Sequence, residues 1–157
     1  MAQYKSPEVY QKPDPRYKSK TVTKFVNEIM RDGKKSVARN LVYNAMELID
    51  ERVEDKSPLE VFEQAIANVK PLIEVRSRRV GGMTYQVPTE VPPKRQVALA
   101  IRWMWEAAVS KKGRPMHQRL ADEILDSYRK QGTSYQRREN AHKMAEANRA
   151  FAHFRIR

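Results

Sequence analysis

Three arginines beside a double glycine are the residues of this chain best suited to chemistry. Arg76, Arg78 and Arg79 run up to Gly81-Gly82, and Tyr85 follows on the far side. A guanidinium stays charged, donates in a planar fork that fits phosphate, and stacks on bases as a tyrosine ring does. Paired glycines accept the positive φ that tight, inverted hairpin turns require. With a two-residue turn, Val80 pairs with Met83 and Arg78 faces Tyr85. The period of two then gathers Arg76, Arg78, Tyr85 and Val87 on one side. This describes a basic, aromatic arm suited to phosphates and unstacked bases. A solvated hairpin with incidental arginines is the plainer alternative.

Catalytic groupings are missing. The five glycines form neither GxxxxGK nor GxGxxG, so there is no phosphate loop. The histidines are His117, His142 and His153, and no HExxH occurs. On one continuous helix His142 and His153 would lie about 16 Å apart along the axis, too far to share a metal. Asp122, Glu123 and Asp126 crowd one exposed turn and read as ordinary surface. With no cysteine, disulfides and thiolate metal sites are excluded, which fits a reducing compartment. Neither catalysis nor a cofactor is expected.

The elements that must position the arm are helical. Residues 1–18 have prolines and no apolar period, and read as an extended tail. From Ser19, Val22, Phe25, Val26, Ile29 and Met30 recur at helical spacing until Asp32-Gly33. A second helix, about 36–52, presents Val37, Leu41, Ala45, Leu48 and Ile49 inward. Its outer face and the turn beyond carry Glu47, Asp50, Glu51, Glu54 and Asp55, a solvated acidic exterior. Ser57-Pro58-Leu59-Glu60 has the form of a capping box with proline at the first helical position. The helix behind it buries Leu59, Phe62, Ile66 and Val69 and stops before Pro71. The hairpin occupies about 73–91, with Pro88 confined to an edge or a bulge.

A fourth helix after Pro92-Pro93 runs to about Ser110, burying Val97, Ile101, Met104, Trp105 and Ala108. Trp103 points elsewhere and covers a helix junction more readily than it stacks a base. After the basic linker Lys111 to Pro115, a fifth helix carries Met116, Leu120, Ile124 and Tyr128 and closes at Gly132. A last, alanine-rich helix from about Ser134 has good propensity and a weak apolar face, and is lined by Arg137, Arg138, Lys143, Arg149 and Arg155. The predicted fold is mainly α: a single domain of five to six helices, spanning 19–157, with an inserted two-stranded β-hairpin arm.

Charge points to the partner. The 157 residues carry 31 lysines and arginines against 19 acids, a net of +12. Residues 36–72 alone are net acidic, at −3, while the segments on either side are all basic. Such an excess does not help a chain fold and implies a polyanion, most commonly nucleic acid. Basic segments interleaved with Tyr85, Tyr135, Phe151 and Phe154 fit folded RNA, although charge alone would serve DNA equally. No apolar run approaches membrane-spanning length, and the N-terminus lacks the apolar stretch of a signal peptide.

Four stretches go further: KFVNEIMRDGKK (24–35), NVKPLIEVRSRRVGGMTYQVPTEV (68–91), LAIRW (99–103) and HKMAEANRAFAHFR (142–155). By these, the chain resembles the family of small-subunit ribosomal protein seven, of the bacterial or organellar type, over roughly residues 14–155. The resemblance implies a cytoplasmic or organellar ribosome as the location. It also implies binding to the 3′ major domain of small-subunit ribosomal RNA, among neighbouring head proteins, close to the exit-site transfer RNA and messenger.

Residue by residue, it implies ribosomal RNA contacts by Lys34, Lys35, Arg76, Arg78, Arg79, Lys94, Arg95 and Arg114, with Arg137, Arg138, Lys143 and Arg149 on the last helix. Gly81, Gly82, Met83, Tyr85, His153 and Arg155 would approach the exit site. Three positions depart from the family. The start, AQYKSPEVY, lacks the usual run of arginines. Met83 stands where a small residue is usual, and Asn140 replaces an acid. A DNA-bending architectural protein, with the hairpin as a minor-groove arm and Met83 as its wedge, is the alternative function.

Overall fold

The computed structural model describes residues 11–154. Ser19 opens the first helix by accepting the Thr21 amide at 3.2 Å, and α1 (Lys20–Ile29) buries Val22, Phe25, Val26 and Ile29. Asp32 and Gly33, both at positive φ, then turn the chain. α2 (Lys35–Arg52) follows. At α3 (Pro58–Val69) the Ser57 hydroxyl accepts the Glu60 amide while the Glu60 carboxylate accepts that of Ser57. This reciprocal cap satisfies two amides that a helix start leaves unpaired.

β1 (Ile73–Val80) and β2 (Met83–Glu90) form an antiparallel hairpin. α4 (Pro93–Ser110), α5 (Met116–Tyr128), α6 (Gly132–Ala147) and a 3-10 helix (Arg149–Phe154) complete the order. The fold is mainly α with one inserted hairpin, as the periodicities imply.

α5 lies centrally, against α2, α3 and α4, with Leu120 and Ile124 fully buried. Phe25 and Phe62 meet edge to face at 5.2 Å, joining α1 to α3. Burying each of these rings contributes about 1.5–3 kcal/mol. Trp103 and Trp105 are partly buried against the same core.

Two regions depart from the sequence expectation. α2 turns a different stripe inward: Ala38, Val42, Ala45, Met46 and Ile49 are buried, Leu41 and Leu48 only partly, and Val37 is 62% exposed. Adjacent residues on a helix point about 100° apart, and both stripes of α2 are apolar, so the period ranks them equally. α1, α3 and α5, all packed on this helix, select between them.

The second region precedes α1. Asp14 is only 3% exposed, and its carboxylate accepts the amides of Arg16 and Tyr17 and the Tyr43 hydroxyl. The Thr23 hydroxyl donates to the Lys12 carbonyl, and Arg16 lies over Tyr43 while pairing with Glu47 at 2.8 Å. Residues 12–18 are therefore fastened to α1 and α2 rather than extended. Polar bonds of this kind have no period, so a hydropathy pattern does not register them.

Candidate nucleic-acid interface

The hairpin pairs Val80 with Met83, Arg78 with Tyr85 and Arg76 with Val87, the register expected for a two-residue turn. Gly81 and Gly82 have φ of +57° and +86°, a conformation that residues with a Cβ adopt at a cost. Val87, midway along β2, is fully buried, so the strand is held down there while the tip projects. Met83, 64% exposed, stands at the tip beside Val80.

One carboxylate organises the base of the arm. Glu74 accepts Nε–H from Arg76 at 2.6 Å and from Arg95 at 3.0 Å. Both arginine side chains stay about half exposed, at 50% and 49%, whereas Glu74 is largely covered. Two guanidiniums from different elements are thus held together with their outer edges open. Arg78 is half-buried and Arg79 exposed on the same strand. Lys94, in the first turn of α4 next to Arg95, shares a cleft with Lys24 and Asn27 of α1. A second cleft brings Lys35 and Arg39 together with Lys12, and Lys34 is exposed at the turn before α2. The basic residues therefore run from the hairpin over the start of α4 to α1. Lys24 and Arg39 were not singled out from sequence, because each is a lone cation on an amphipathic helix until the neighbouring element brings others to it.

Arg114 lies apart from this strip. It pairs with Asp122 at 3.2 Å, and Asp122 also holds Arg52 at the end of α2. Lys34 and Lys35 are at the other end of that helix, about 27 Å away for 18 residues. The acidic side chains of Glu47, Asp50, Glu51, Glu54 and Asp55 are exposed.

The last helix divides its cations. Arg138 is turned inward: it donates to the Lys70 carbonyl, pairs with Glu139 at 2.8 Å and lies over the Tyr135 ring. Arg137 pairs with Glu106 of α4. Lys143 is exposed, and Arg149 is exposed beside Glu146. α6 buries only Ser134 and Ala145, which agrees with its weak apolar period. It ends at Ala147, and Asn148 separates it from the 3-10 helix, so His142 and His153 do not share one helix. Arg155 lies outside the described residues.

The aromatic residues have partners of their own. Tyr85 packs against Phe151 and Phe154, with ring centroids 5.4 and 4.7 Å apart, and His153 lies on Phe154 at 4.1 Å. Pairs of this kind contribute about 0.5–1.5 kcal/mol beyond the area they bury. Tyr85 is thus a packing residue of the hairpin, and the free stacking face expected for it is occupied.

Glu123, expected at the surface, lies in the interior. It is fully buried, and its carboxylate accepts the Ser134 amide at 2.9 Å and the Ser134 hydroxyl at 2.6 Å. The Lys111 ammonium lies 2.8 Å from its other oxygen. Burial opposes the charge on Lys111, but Glu123 and Asp126 outweigh it, and the ammonium titrates above its ordinary value. This junction fixes the basic linker and the start of α6 to α5. No local pattern marks it, because its partners are 11 and 12 residues from Glu123.

His142 also has a structural bond: its Nε2 accepts the Leu72 amide at 3.0 Å. Burial, helped by the Arg138 charge, holds its pKa below the usual histidine value. No three His, Asp or Glu side chains among the described residues form a group able to hold a metal. Nor is any described helix long and apolar enough to cross a membrane.

The fold and its surface define a helical scaffold protein with a basic, projecting hairpin arm. The family model "Ribosomal protein S7p/S5e" matches residues 1–149. The small ribosomal subunit protein uS7 of a Nitratiruptor species is 56% identical over 143 residues, covering 91% of this chain and 92% of its own length. Its counterpart from Thermotoga neapolitana is likewise 56% identical over 91% of this chain and 92% of its own, and that of Thermotoga maritima is 54% identical over the same shares. The chain belongs to the S7p/S5e family of ribosomal proteins, structural constituents of the ribosome and not enzymes.

Proposed function

We propose that this protein binds the 3′ major domain of small-subunit ribosomal RNA in the cytoplasm and helps organise the head of that subunit. The observation that carries this reading is the pairing of Arg76 and Arg95 on Glu74, which joins the hairpin's guanidiniums to those of α4 with their outer edges exposed. Phosphates on two RNA segments can be gripped by one rigid pair. The protein acts as an electrostatic clamp that sets the mutual orientation of RNA helices. Neighbouring head proteins complete its surroundings. The hairpin tip, Gly81 to Met83, and the end of the chain approach the exit-site transfer RNA and the messenger.

A salt titration of binding to a transcript of the 3′ major domain, with duplex DNA of equal charge as competitor, tests this. Tight binding that survives excess DNA is expected. Equal loss to DNA would favour the architectural alternative, in which the exposed Met83 wedges between base pairs.

A further inference from the structure

The outer half of the hairpin, from Tyr85 to the turn, lies beyond its buried residues. The hairpin's lower anchors are Val87 and Val91, both buried, the Leu72 amide on His142, and Glu74 on Arg95. Tyr85 lies two residues beyond the buried Val87, about 7 Å along the strand at the usual rise, with the turn farther out. An isolated two-stranded ribbon is at best marginally stable without support. Support comes from the end of the chain: Phe151 and Phe154 close on the Tyr85 ring, and His153 stacks on Phe154. These rings stand outside the main core cluster, so they serve the hairpin rather than the helical body. Tyr85 is paired with Arg78 across the hairpin and shares its face with Arg76.

We propose that Phe151 and Phe154 are positioning residues for RNA binding: their two rings form a clasp that holds Arg76 and Arg78 in their binding orientation by packing on Tyr85 rather than by contacting RNA. The claim rests on the RNA-binding reading above. With the clasp closed, the arm is ordered before RNA arrives; with the rings removed, binding must order it, and affinity falls by that cost. The same phosphates are gripped in either case.

The test compares the full chain with Phe151→Ala/Phe154→Ala and with Phe151→Tyr/Phe154→Tyr. Trypsin should cut after Arg76, Arg78 or Arg79 about tenfold faster in the alanine variant, while the helical melting transition and the salt slope of RNA binding stay put. Affinity for the 3′ major domain transcript should drop about tenfold, and the tyrosine variant should behave as the parent.

In an Arg76→Ala/Arg78→Ala/Arg79→Ala background the ring removals should have no further effect on affinity. Unchanged tryptic cutting would overturn the clasp. An equal affinity loss in both backgrounds would overturn its action through the arginines. Failure of the parent chain to bind the transcript would sink the RNA reading and the positioning claim with it, and tryptic cutting would then report the clasp alone.

Discussion

Glu74 shows how one residue can shape a surface without contributing much stability. Ion pairs as exposed as those it makes are each worth about 0–1 kcal/mol, yet they hold two guanidiniums at a defined separation. The value lies in orientation. Replacing Arg76, Arg78 and Arg79 with alanine should reduce the salt slope of RNA binding by about 0.7–0.9 for each phosphate no longer neutralised. Affinity measured across a series of salt concentrations reads this directly, and an unchanged slope would take the hairpin off the RNA. Glu123 is the opposite case. Its removal leaves the Ser134 amide without its acceptor inside the molecule and the Lys111 ammonium with Asp126 alone. Glu123→Ala should destabilise the fold by about 3 kcal/mol in urea denaturation. A loss under about 1 kcal/mol would show that water or Asp126 replaces the carboxylate.

Among the elements, the hairpin depends most on its neighbours. His142 joins it to α6 by accepting the Leu72 amide, which demands a neutral ring. Arg138 and Glu139 of α6 act on the imidazole with opposite sign, and Glu90 and Glu146 line the cleft around it. With the folded pKa below the ordinary value of about 6.5, the folded protein binds fewer protons than the unfolded chain near that pH. The stabilisation is therefore complete above about pH 6.5 and is lost as the pH falls toward the folded value. The protection factor of the Leu72 amide, corrected for intrinsic exchange, should fall between pH 7.5 and 5.5. Equal protection at both would mean that the hairpin base does not depend on this bond.

At the scale of the whole molecule, charge is segregated. A basic strip crosses the hairpin and the starts of α4 and α2 to α1, while the second half of α2 and the turn beyond it expose Glu47, Asp50, Glu51, Glu54 and Asp55. Net repulsion would oppose compactness, and the separation leaves one side fit for a polyanion. Among the described residues the fastening to α1 and α2 begins at Lys12 and Asp14, so deleting residues 1–11 should leave helical content and the melting temperature unchanged. Asp14→Ala, by contrast, orphans the Tyr43 hydroxyl and two backbone amides. It should cost about 2 kcal/mol in chemical denaturation. If the deletion lowers helical content markedly, the first residues take part in the core.

What could be known without coordinates follows from local periodicity. Helix order, the capping box at Ser57, the hairpin register through Gly81-Gly82 and the excess of cations are all written within a few residues of one another. The same short patterns carried the family resemblance. Tertiary structure alone decided which stripe of α2 faces inward, that Glu123 is buried, and that Tyr85 is clasped by Phe151 and Phe154. It also decided which arginines are open, as Arg76 and Arg95 are, and which are turned inward, as Arg138 is. Each of those outcomes depends on partners far along the chain: Leu72 lies 70 residues from His142, and Glu74 lies 21 from Arg95. A periodic pattern states how a segment can face a neighbour; only packing determines which neighbour it meets.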